Sequence, residues 1–169
     1  MTAKGIAVIN PESGPAPGPR ILLVDDDRLV LSTLGSELAA QGYEVLLASS
    51  GKESMRLAQE RGLELVVMDV RMPDISGIEA ARAIRETSGV PVLFLSAFDE
   101  RGIVRQALSE GGLGYLVKPV GTNQLVPAVE AALARAADLR KLRASEENLR
   151  IALAGERAVS VAIGILMER

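Results

Sequence analysis

From about residue 20 to about residue 128, short apolar runs alternate with segments in which apolar residues recur every three or four positions. Such runs are typical of buried strands, and the recurring positions are typical of helices with one apolar face. The runs occupy residues 21–24, 45–48, 65–68, 92–95 and 115–117. Helices of this length between strands make right-handed crossovers, so the pattern predicts an α/β fold whose five-stranded parallel sheet is doubly wound.

Glycines and capping residues set the limits of the predicted helices. The helices fall at residues 29–38, 53–61, 78–86 and 103–110, and three of them are followed by Gly42, Gly62 and the pair Gly111-Gly112. Thr122 suits the N-cap of a last helix.

The two ends of the chain have a different pattern. Residues 1–19 are rich in proline and glycine, which predicts a flexible N-terminal arm. No strand pattern follows residue 128, and a helical extension is predicted instead. Four leucines keep a spacing of three and four along it, interrupted by Glu146, Glu156 and Ser160; they are Leu139, Leu142, Leu149 and Leu153. The leucine row predicts a helix that pairs with a second copy of the chain or folds back on its own domain.

Composition removes several kinds of chemistry. The chain has no Cys and no His, so disulfides, thiolate catalysis, Ser-His relays and the commonest zinc ligands are excluded, while cations that prefer oxygen ligands are not. No apolar stretch reaches the length of a membrane span, and the N-terminus does not resemble a signal peptide. A cytoplasmic location without membrane attachment is therefore expected.

Residues suited to phosphate chemistry stand at the ends of the apolar runs. They are Asp25 and Asp26, Asp69, Ser96 and Lys118. Because the carboxyl ends of parallel strands meet at one edge of a sheet, these side chains should share one site. The carboxylates could hold Mg²⁺, Lys118 and Ser96 could bind phosphoryl oxygens, and one carboxylate could be the nucleophile that forms an acyl phosphate. Asp27, the next residue, is suited to be only the N-cap of the helix that follows.

These residues carry a resemblance. Residues 20 to about 137 resemble the receiver domain of two-component response regulators in four motifs: Ile-Leu-Leu-Val-Asp-Asp-Asp, Val-Met-Asp-Val-Arg-Met-Pro-Asp-Ile-Ser-Gly, Pro-Val-Leu-Phe-Leu-Ser-Ala and Tyr-Leu-Val-Lys-Pro-Val. The resemblance implies the flavodoxin-like, CheY-like strand order 2-1-3-4-5. It also implies that Asp69 accepts a phosphoryl group from a histidine kinase, and that the protein is a signalling protein and not an enzyme.

The same resemblance assigns roles around Asp69. Asp25 and Asp26 would form an acidic pocket, and Mg²⁺ would be held with Asp69 and the main-chain carbonyl of Arg71. Ser96 and Lys118 would contact the phosphoryl group, and the Lys118-Pro119 bond would be cis. After phosphorylation Ser96 would move inward and Tyr115 would fill the space it leaves, which makes these two residues the switch.

The C-terminal segment carries a second resemblance. Residues 154–169, Ala-Gly-Glu-Arg-Ala-Val-Ser-Val-Ala-Ile-Gly-Ile-Leu-Met-Glu-Arg, resemble the first helix of an ANTAR domain, an RNA-binding module of transcription antitermination. A coiled coil precedes that helix in the family, which assigns residues 138–157 to a coiled-coil linker and 158–169 to a partial ANTAR-like helix. Two further helices of the family are not present, and Ile163 replaces a common lysine. We therefore expect a homodimer through this helix, no DNA binding, and no RNA binding by these residues alone.

Other functions remain open on the residues alone. The Asp-x-Asp at Asp25 and Asp27 also occurs in haloacid-dehalogenase-like phosphatases, although Arg28 and Leu29 follow where that family has a small or hydroxyl residue. A flavodoxin-like cofactor binder is disfavoured, because three aspartates in the first loop would repel a phosphate. A stand-alone receiver that acts through a partner protein is the nearest alternative.

Overall fold

The computed structural model describes residues 7–9, 18–97, 101–109 and 111–167, with no side chains described after Arg157. The strands are β1 (Val8–Ile9), β2 (Arg20–Val24), β3 (Glu44–Ala48), β4 (Leu63–Asp69), β5 (Val92–Ser96) and β6 (Gly114–Val117). The helices are α1 (Arg28–Ala40), α2 (Gly51–Leu57), α3 (Gly77–Thr87), α4 (Arg101–Ser109) and α5 (Thr122–Met167).

The described strands form one sheet in the order β1-β3-β2-β4-β5-β6. The strands from β2 to β6 are all parallel to one another. Taken by themselves, these strands have the order 2-1-3-4-5, so the predicted α/β, flavodoxin-like arrangement is confirmed. Because they are parallel, their carboxyl ends lie along one edge of the sheet.

The prediction of a five-stranded, wholly parallel sheet is wrong in one respect, because the sheet has six strands and is mixed. The additional strand, β1, pairs antiparallel with β3, and the Leu47 amide donates a hydrogen bond to the Ala7 carbonyl at 3.1 Å. The side chain of Ile9 packs near Gly35 of α1, where an added Cβ would lie 3.0 Å from the Ile9 Cδ1 atom. A strand of two residues has too few positions to show a period, and it was therefore not predicted.

Both faces of the sheet are covered by aliphatic side chains. On one face α2, α3 and α4 pack against residues such as Leu22, Val66 and Phe94. On the other face α1 and the first turns of α5 pack against residues such as Ile21, Leu65 and Leu95. Residues of the three middle strands are almost fully buried, as expected for a parallel sheet between helical layers. The strand ends are thus held by packing on both sides.

Short polar side chains begin several helices. The Asp27 carboxylate accepts a hydrogen bond from the Leu29 amide at 2.8 Å and caps α1, which confirms the simpler interpretation of Asp27. Ser50 caps α2 by accepting from the Glu53 amide. Ser76 and Glu79 form a reciprocal capping box at the start of α3. These caps fix the loops that follow β2, β3 and β4 at the carboxyl edge of the sheet.

The chain divides into two compact units, Met1–Ala136 and Ala137–Arg169, and the division falls inside α5. In the second unit the side chains of residues 138–157 are exposed, including large apolar ones at Leu142, Leu149 and Leu153. The helix is described as far as Met167, while Glu168 and Arg169 of the predicted ANTAR-like segment lie outside the described residues. Within the described ranges, no helix is both long enough and apolar enough to cross a bilayer.

Candidate functional site

Four strand ends bring acidic, hydroxyl and amino side chains together. Asp25 follows β2, Asp69 ends β4, Ser96 ends β5 and Lys118 follows β6. Asp25, Asp69 and Ser96 are all buried. The Asp25 amide donates to the Ala48 carbonyl, and the Lys118 amide donates to the Ser96 carbonyl, so the loops leave the sheet in a fixed direction. The packed parallel sheet therefore positions the site.

Three carboxylates form an acidic cluster at this edge. One oxygen from each of Asp25, Asp26 and Asp69 lies within 4.8 Å of the other two. Asp25 and Asp69 are buried and Asp26 is exposed, so the cluster opens to solvent on one side. Oxygen ligands at this spacing suit a small divalent cation that keeps some of its waters, and the residues present therefore fit Mg²⁺.

Lys118 joins two of these carboxylates. Its Nζ atom lies 2.6 Å from Asp25 Oδ2 and 3.1 Å from Asp69 Oδ1. Burial disfavours the charged amine, but the hydrogen bonds and negative charges of Asp25 and Asp69 outweigh it, so the pKa of Lys118 is raised. The second oxygen of Asp25 accepts from the Asp27 amide at 2.9 Å. Asp25 is thereby held by a side chain and a backbone group at once.

The environment of the Asp69 carboxylate changes its acidity. Burial raises its pKa to about 6, with Lys118 opposing the shift and the charges of Asp25 and Asp26 adding to it. At neutral pH the Asp69 carboxylate is mostly ionised but poorly solvated, which is the condition of a reactive nucleophile. Asp25 is not suited to act as the nucleophile, because its two oxygens already accept hydrogen bonds from Lys118 and the Asp27 amide.

Ser96 is buried beside Asp69's strand, and its Oγ atom has no hydrogen-bond partner within the described structure. A buried hydroxyl without a partner is costly, and an added acceptor oxygen would satisfy it. Tyr115 lies on β6 opposite Phe94 of β5 and is 41% exposed. The predicted switch pair is thus found with one side chain inside the protein and the other at its surface.

Two further predicted features lie in the loops. The Lys118-Pro119 peptide bond is cis, as the receiver resemblance implied. Arg71 stands two residues beyond Asp69, in the loop between β4 and α3, and its assignment as a carbonyl ligand stays a prediction. The ends of this loop are joined, because the Gly77 amide donates to the Val70 carbonyl at 2.9 Å.

One residue of the same loop was not given a role by the sequence. The Asp74 carboxylate accepts hydrogen bonds from the Gly51 and Lys52 amides at the start of α2. Asp74 stands between Pro73 and Ile75, where an aspartate is normally read as a turn residue. Its distant partners could not be found from local pattern.

Comparison with known proteins decides the family. Residues 21–130 match the model of the response regulator receiver domain. The chain belongs to this family. It is 34% identical over 151 residues to the transcriptional regulatory protein PdtaR of Mycobacterium tuberculosis, covering 89% of this chain and 74% of that protein. It is 39% identical over 132 residues to the uncharacterized transcriptional regulatory protein YrkP of Bacillus subtilis, covering 78% of this chain and 57% of that protein.

Solved receiver domains have the same fold. A response regulator receiver domain protein from Clostridium thermocellum superposes with a TM-score of 0.67 at 32% identity, over 71% of this chain and 98% of that one. A CheY-like receiver domain protein from Methanospirillum hungatei gives a TM-score of 0.66 at 25% identity, over 70% and 96%. The receiver resemblance found from the motifs is therefore confirmed. The likeness to PdtaR covers too much of the chain to end at residue 130, so it includes part of α5.

Proposed function

We propose that this receiver accepts a phosphoryl group on Asp69 from a histidine kinase and passes the signal to its C-terminal helix, with an output in transcription antitermination. One observation carries the first part of the proposal. Asp69 is a buried carboxylate with a raised pKa, and Asp25, Asp26 and Lys118 surround it at one edge of the sheet. A cytoplasmic location follows from this role, since histidine kinases take their phosphate from ATP.

The chemistry is a phosphoryl transfer between two residues. An oxygen of Asp69 forms a bond to phosphorus as the bond from phosphorus to the imidazole nitrogen of the kinase breaks. The imidazole, which already carries a proton on its other ring nitrogen, leaves as the neutral ring. Lys118 already lies 3.1 Å from Asp69 and can neutralise a phosphoryl oxygen. Mg²⁺, held by Asp26, Asp69 and the Arg71 carbonyl, would supply the remaining positive charge. Asp25 keeps Lys118 in place through its contact at 2.6 Å.

Ser96 and Tyr115 are the proposed switch. The phosphoryl group adds acceptor oxygens and close to two negative charges at Asp69. The Ser96 hydroxyl, which has no partner within the described structure, gains an acceptor there. Its movement would leave a space on the β5–β6 side that the exposed Tyr115 can enter. The strand that carries Tyr115 leads, through Lys118 and Pro119, into α5.

A kinase has to bring its phosphohistidine to this edge, and an apolar surface is present beside it. A groove of about 550 Å³ is lined by α1 residues and by the segment from Lys118 to Val120. Leu29, which lines the groove, is 74% exposed. An exposed leucine beside a buried acidic site is suited to contact with another protein. This surface supports a protein as phosphoryl donor.

The proposed output rests on α5. Leucines keep the three and four spacing of a coiled coil and are exposed, which supports a homodimer through this helix. The relatives in the comparison that are named as transcriptional regulators, PdtaR above all, support an output in transcription. The ANTAR resemblance of residues 154–169 points to antitermination, with RNA bound by a complete ANTAR domain. We propose no contact with DNA or membranes.

Two alternatives are separated by specific observations. In a phosphatase of the Asp-x-Asp type, Asp25 would attack phosphate and Asp27 would move the proton. Asp25 is instead fully buried against Lys118, and Asp27 caps α1. We therefore propose that the protein is not an enzyme. A stand-alone receiver that acts by binding a partner protein, with α5 merely as a dimer element, would share both the site and the leucines. Salt-dependent RNA binding would separate an antiterminator from it.

Incubation with acetyl phosphate and Mg²⁺, followed by intact-mass measurement, tests the proposal. We expect one phosphate on the wild type, none on Asp69→Ala and less on Asp25→Ala. Light scattering on the same samples should report a change of oligomeric state with phosphorylation. An unmodified wild type would overturn the proposed function, and steady phosphate release that needs Asp25 but not Asp69 would favour the phosphatase.

A further inference from the structure

We infer that Asp74 is a positioning residue for chemistry at Asp69: its carboxylate ties the loop that follows Asp69 to the start of α2 and so holds the backbone of that loop at the metal site. The inference rests on the proposed function, because it concerns Mg²⁺ binding and phosphorylation. It assigns a role to a side chain that touches neither the phosphoryl group nor the cation.

The contact itself uses both oxygens of the carboxylate. The Gly51 amide donates to Asp74 Oδ1 at 3.1 Å, and the Lys52 amide donates to Asp74 Oδ2 at 2.9 Å. These amides belong to the first turn of α2, where backbone N–H groups lack partners within the helix and the helix dipole favours a negative charge. The two oxygens therefore fix the orientation of the carboxylate as well as its position.

Close packing accompanies the hydrogen bonds. A Cβ atom added at Gly51 would overlap the side chain of Ile75, the residue next to Asp74. Glycine at this position lets the loop lie directly against the backbone of α2. Ile75 also packs against the aliphatic core beneath α2 and α3. The tip of the loop is thus held by a polar contact and an apolar contact on the same helix.

The base of the loop is held with equal precision beside Asp69. The Val70 amide donates to the Leu95 carbonyl of β5, and the Val70 carbonyl accepts from the Gly77 amide, both at 2.9 Å. A Cβ atom added at Gly77 would overlap the Asp69 carbonyl. With both ends fixed, the remaining freedom of residues 71–76 is limited by the contact at their tip. Arg71, whose carbonyl the receiver resemblance assigns to Mg²⁺, lies between the fixed base and Asp74.

The charge of Asp74 suits this role. Burial would raise its pKa, but the hydrogen bonds from the backbone of Lys52, Ile75, Gly51 and Asp74 itself together outweigh burial and lower the pKa. The carboxylate therefore stays ionised at the pH at which a receiver works. Asp74 is exposed, so its replacement leaves the core intact and changes mainly the position of the loop. Partners that orient a metal ligand typically change metal affinity by about ten to a hundredfold when removed.

The test compares Asp74→Ala with a matched control, Ser50→Ala. Ser50 caps the same helix by accepting from the Glu53 amide at 3.2 Å, but Ser50 does not belong to the loop. Isothermal titration with Mg²⁺ alone measures affinity without any reaction. Phosphorylation by acetyl phosphate is then followed at low and at saturating Mg²⁺. Asp74→Asn, which keeps one acceptor oxygen, provides a milder second variant should Asp74→Ala fold poorly.

We expect Asp74→Ala to raise the dissociation constant for Mg²⁺ about tenfold, with Asp74→Asn between it and the wild type. Phosphorylation should be slowed at low Mg²⁺ and recover at saturating Mg²⁺, while Ser50→Ala should match the wild type in both measurements. Equal Mg²⁺ affinity in Asp74→Ala and the wild type would overturn the inference, as would an equal loss in Ser50→Ala. A wild type that is never phosphorylated would instead overturn the proposed function on which the inference rests.

Discussion

The carboxyl edge of the sheet and the exposed part of α5 differ in how their residues are held. At the sheet edge, Asp25, Asp69 and Lys118 come from three separate strand ends and contact one another in a buried site. Along α5 beyond residue 137, the leucines are exposed to solvent and lack a packing partner within the described residues. Leu149, for example, is 61% exposed. The first region is assembled from residues of one chain that contact one another, so its chemistry can be read from its geometry. The second acquires a role only through what it binds.

The largest effect on stability should come from removing the positive charge of Lys118 at the carboxyl edge of the sheet. Lys118→Met leaves Asp25 buried without its charged partner, and we expect a loss of about 3 kcal/mol in the free energy of unfolding at pH 7. That value is at the low end for buried ion pairs, because the Lys118 side chain is 29% exposed. Urea unfolding measures it. Lys141→Met, an exposed lysine on α5, should change stability by less than about 0.5 kcal/mol. Equal losses of stability in the two variants would contradict the contrast between a buried sheet edge and an exposed α5.

Asp69→Asn should act in the opposite direction. The fold raises the pKa of Asp69 from 3.8 to about 6, so the folded state favours the protonated carboxyl group. The charged carboxylate therefore lowers the free energy of unfolding. The cost is absent below about pH 4, grows as the pH rises through the folded pKa, and is complete above it. In the absence of Mg²⁺ we expect Asp69→Asn to raise the unfolding free energy by about 2 to 3 kcal/mol at pH 7.

Unfolding of the wild type and Asp69→Asn across this pH range measures the difference. The gain should vanish near pH 4, where Asp69 is protonated in both the folded and the unfolded state. Asp138→Asn, at an exposed aspartate on α5, provides the control and should change the unfolding free energy by less than about 0.5 kcal/mol. A gain for Asp69→Asn that is independent of pH would mean that its cause is something other than the charge.

The same contrast explains what the sequence could and could not predict. The strand ends were predicted because each apolar run and its following polar residue are local, and the parallel sheet brings them to one edge. Asp27 was correctly recognised as a possible cap for the same reason. Asp74 contacts Gly51, which lies 23 positions away along the chain, and Lys52, which lies 22 positions away. No local pattern indicates this contact. Strand β1 was missed because two residues are too few to show alternation.

For α5 the sequence predicted the leucine row, and the structure finds those leucines exposed. A pattern of apolar positions identifies a face, but the partner of that face lies outside the pattern. Their coiled-coil spacing supports a second copy as the partner, although the apolar face by itself would also accept another protein. A direct test is to complete the row and measure whether like copies associate.

Glu146→Leu would complete the row, because Glu146 interrupts it between Leu142 and Leu149. If two copies pair through this face, each buries an added leucine, and we expect the dimer dissociation constant to fall about tenfold or more. Sedimentation equilibrium over a range of protein concentrations measures it. Glu147→Leu adds the same side chain off the row and should leave association unchanged. Equal tightening by both variants would indicate unspecific association of apolar surface.

The smallest expected effect on stability concerns β1, the outermost strand on one side of the sheet. Its residue Ile9 lies close to Gly35 of α1. Alanine is favoured over glycine inside a helix by about 0.5 to 1 kcal/mol. A Cβ atom at Gly35 would however lie 3.0 Å from Ile9 Cδ1 and 3.1 Å from Leu47 Cδ2, so both side chains would have to shift. We expect Gly35→Ala to leave stability unchanged or slightly reduced in the wild type, because crowding offsets the gain in helix propensity.

Ile9→Ala removes one of the crowding atoms, and in that background Gly35→Ala should stabilise by about 0.5 kcal/mol. A double-mutant cycle by thermal unfolding measures the coupling between the two positions. Favourable coupling between Ile9→Ala and Gly35→Ala would show that Ile9 packs in the space that Gly35 leaves open. Strand β1 would then contribute to the packing of the fold, as the strands that carry the site do. Strict additivity would mean that Ile9 does not press on α1 in solution, and that β1 resembles the exposed leucines of α5 in having no fixed contact there.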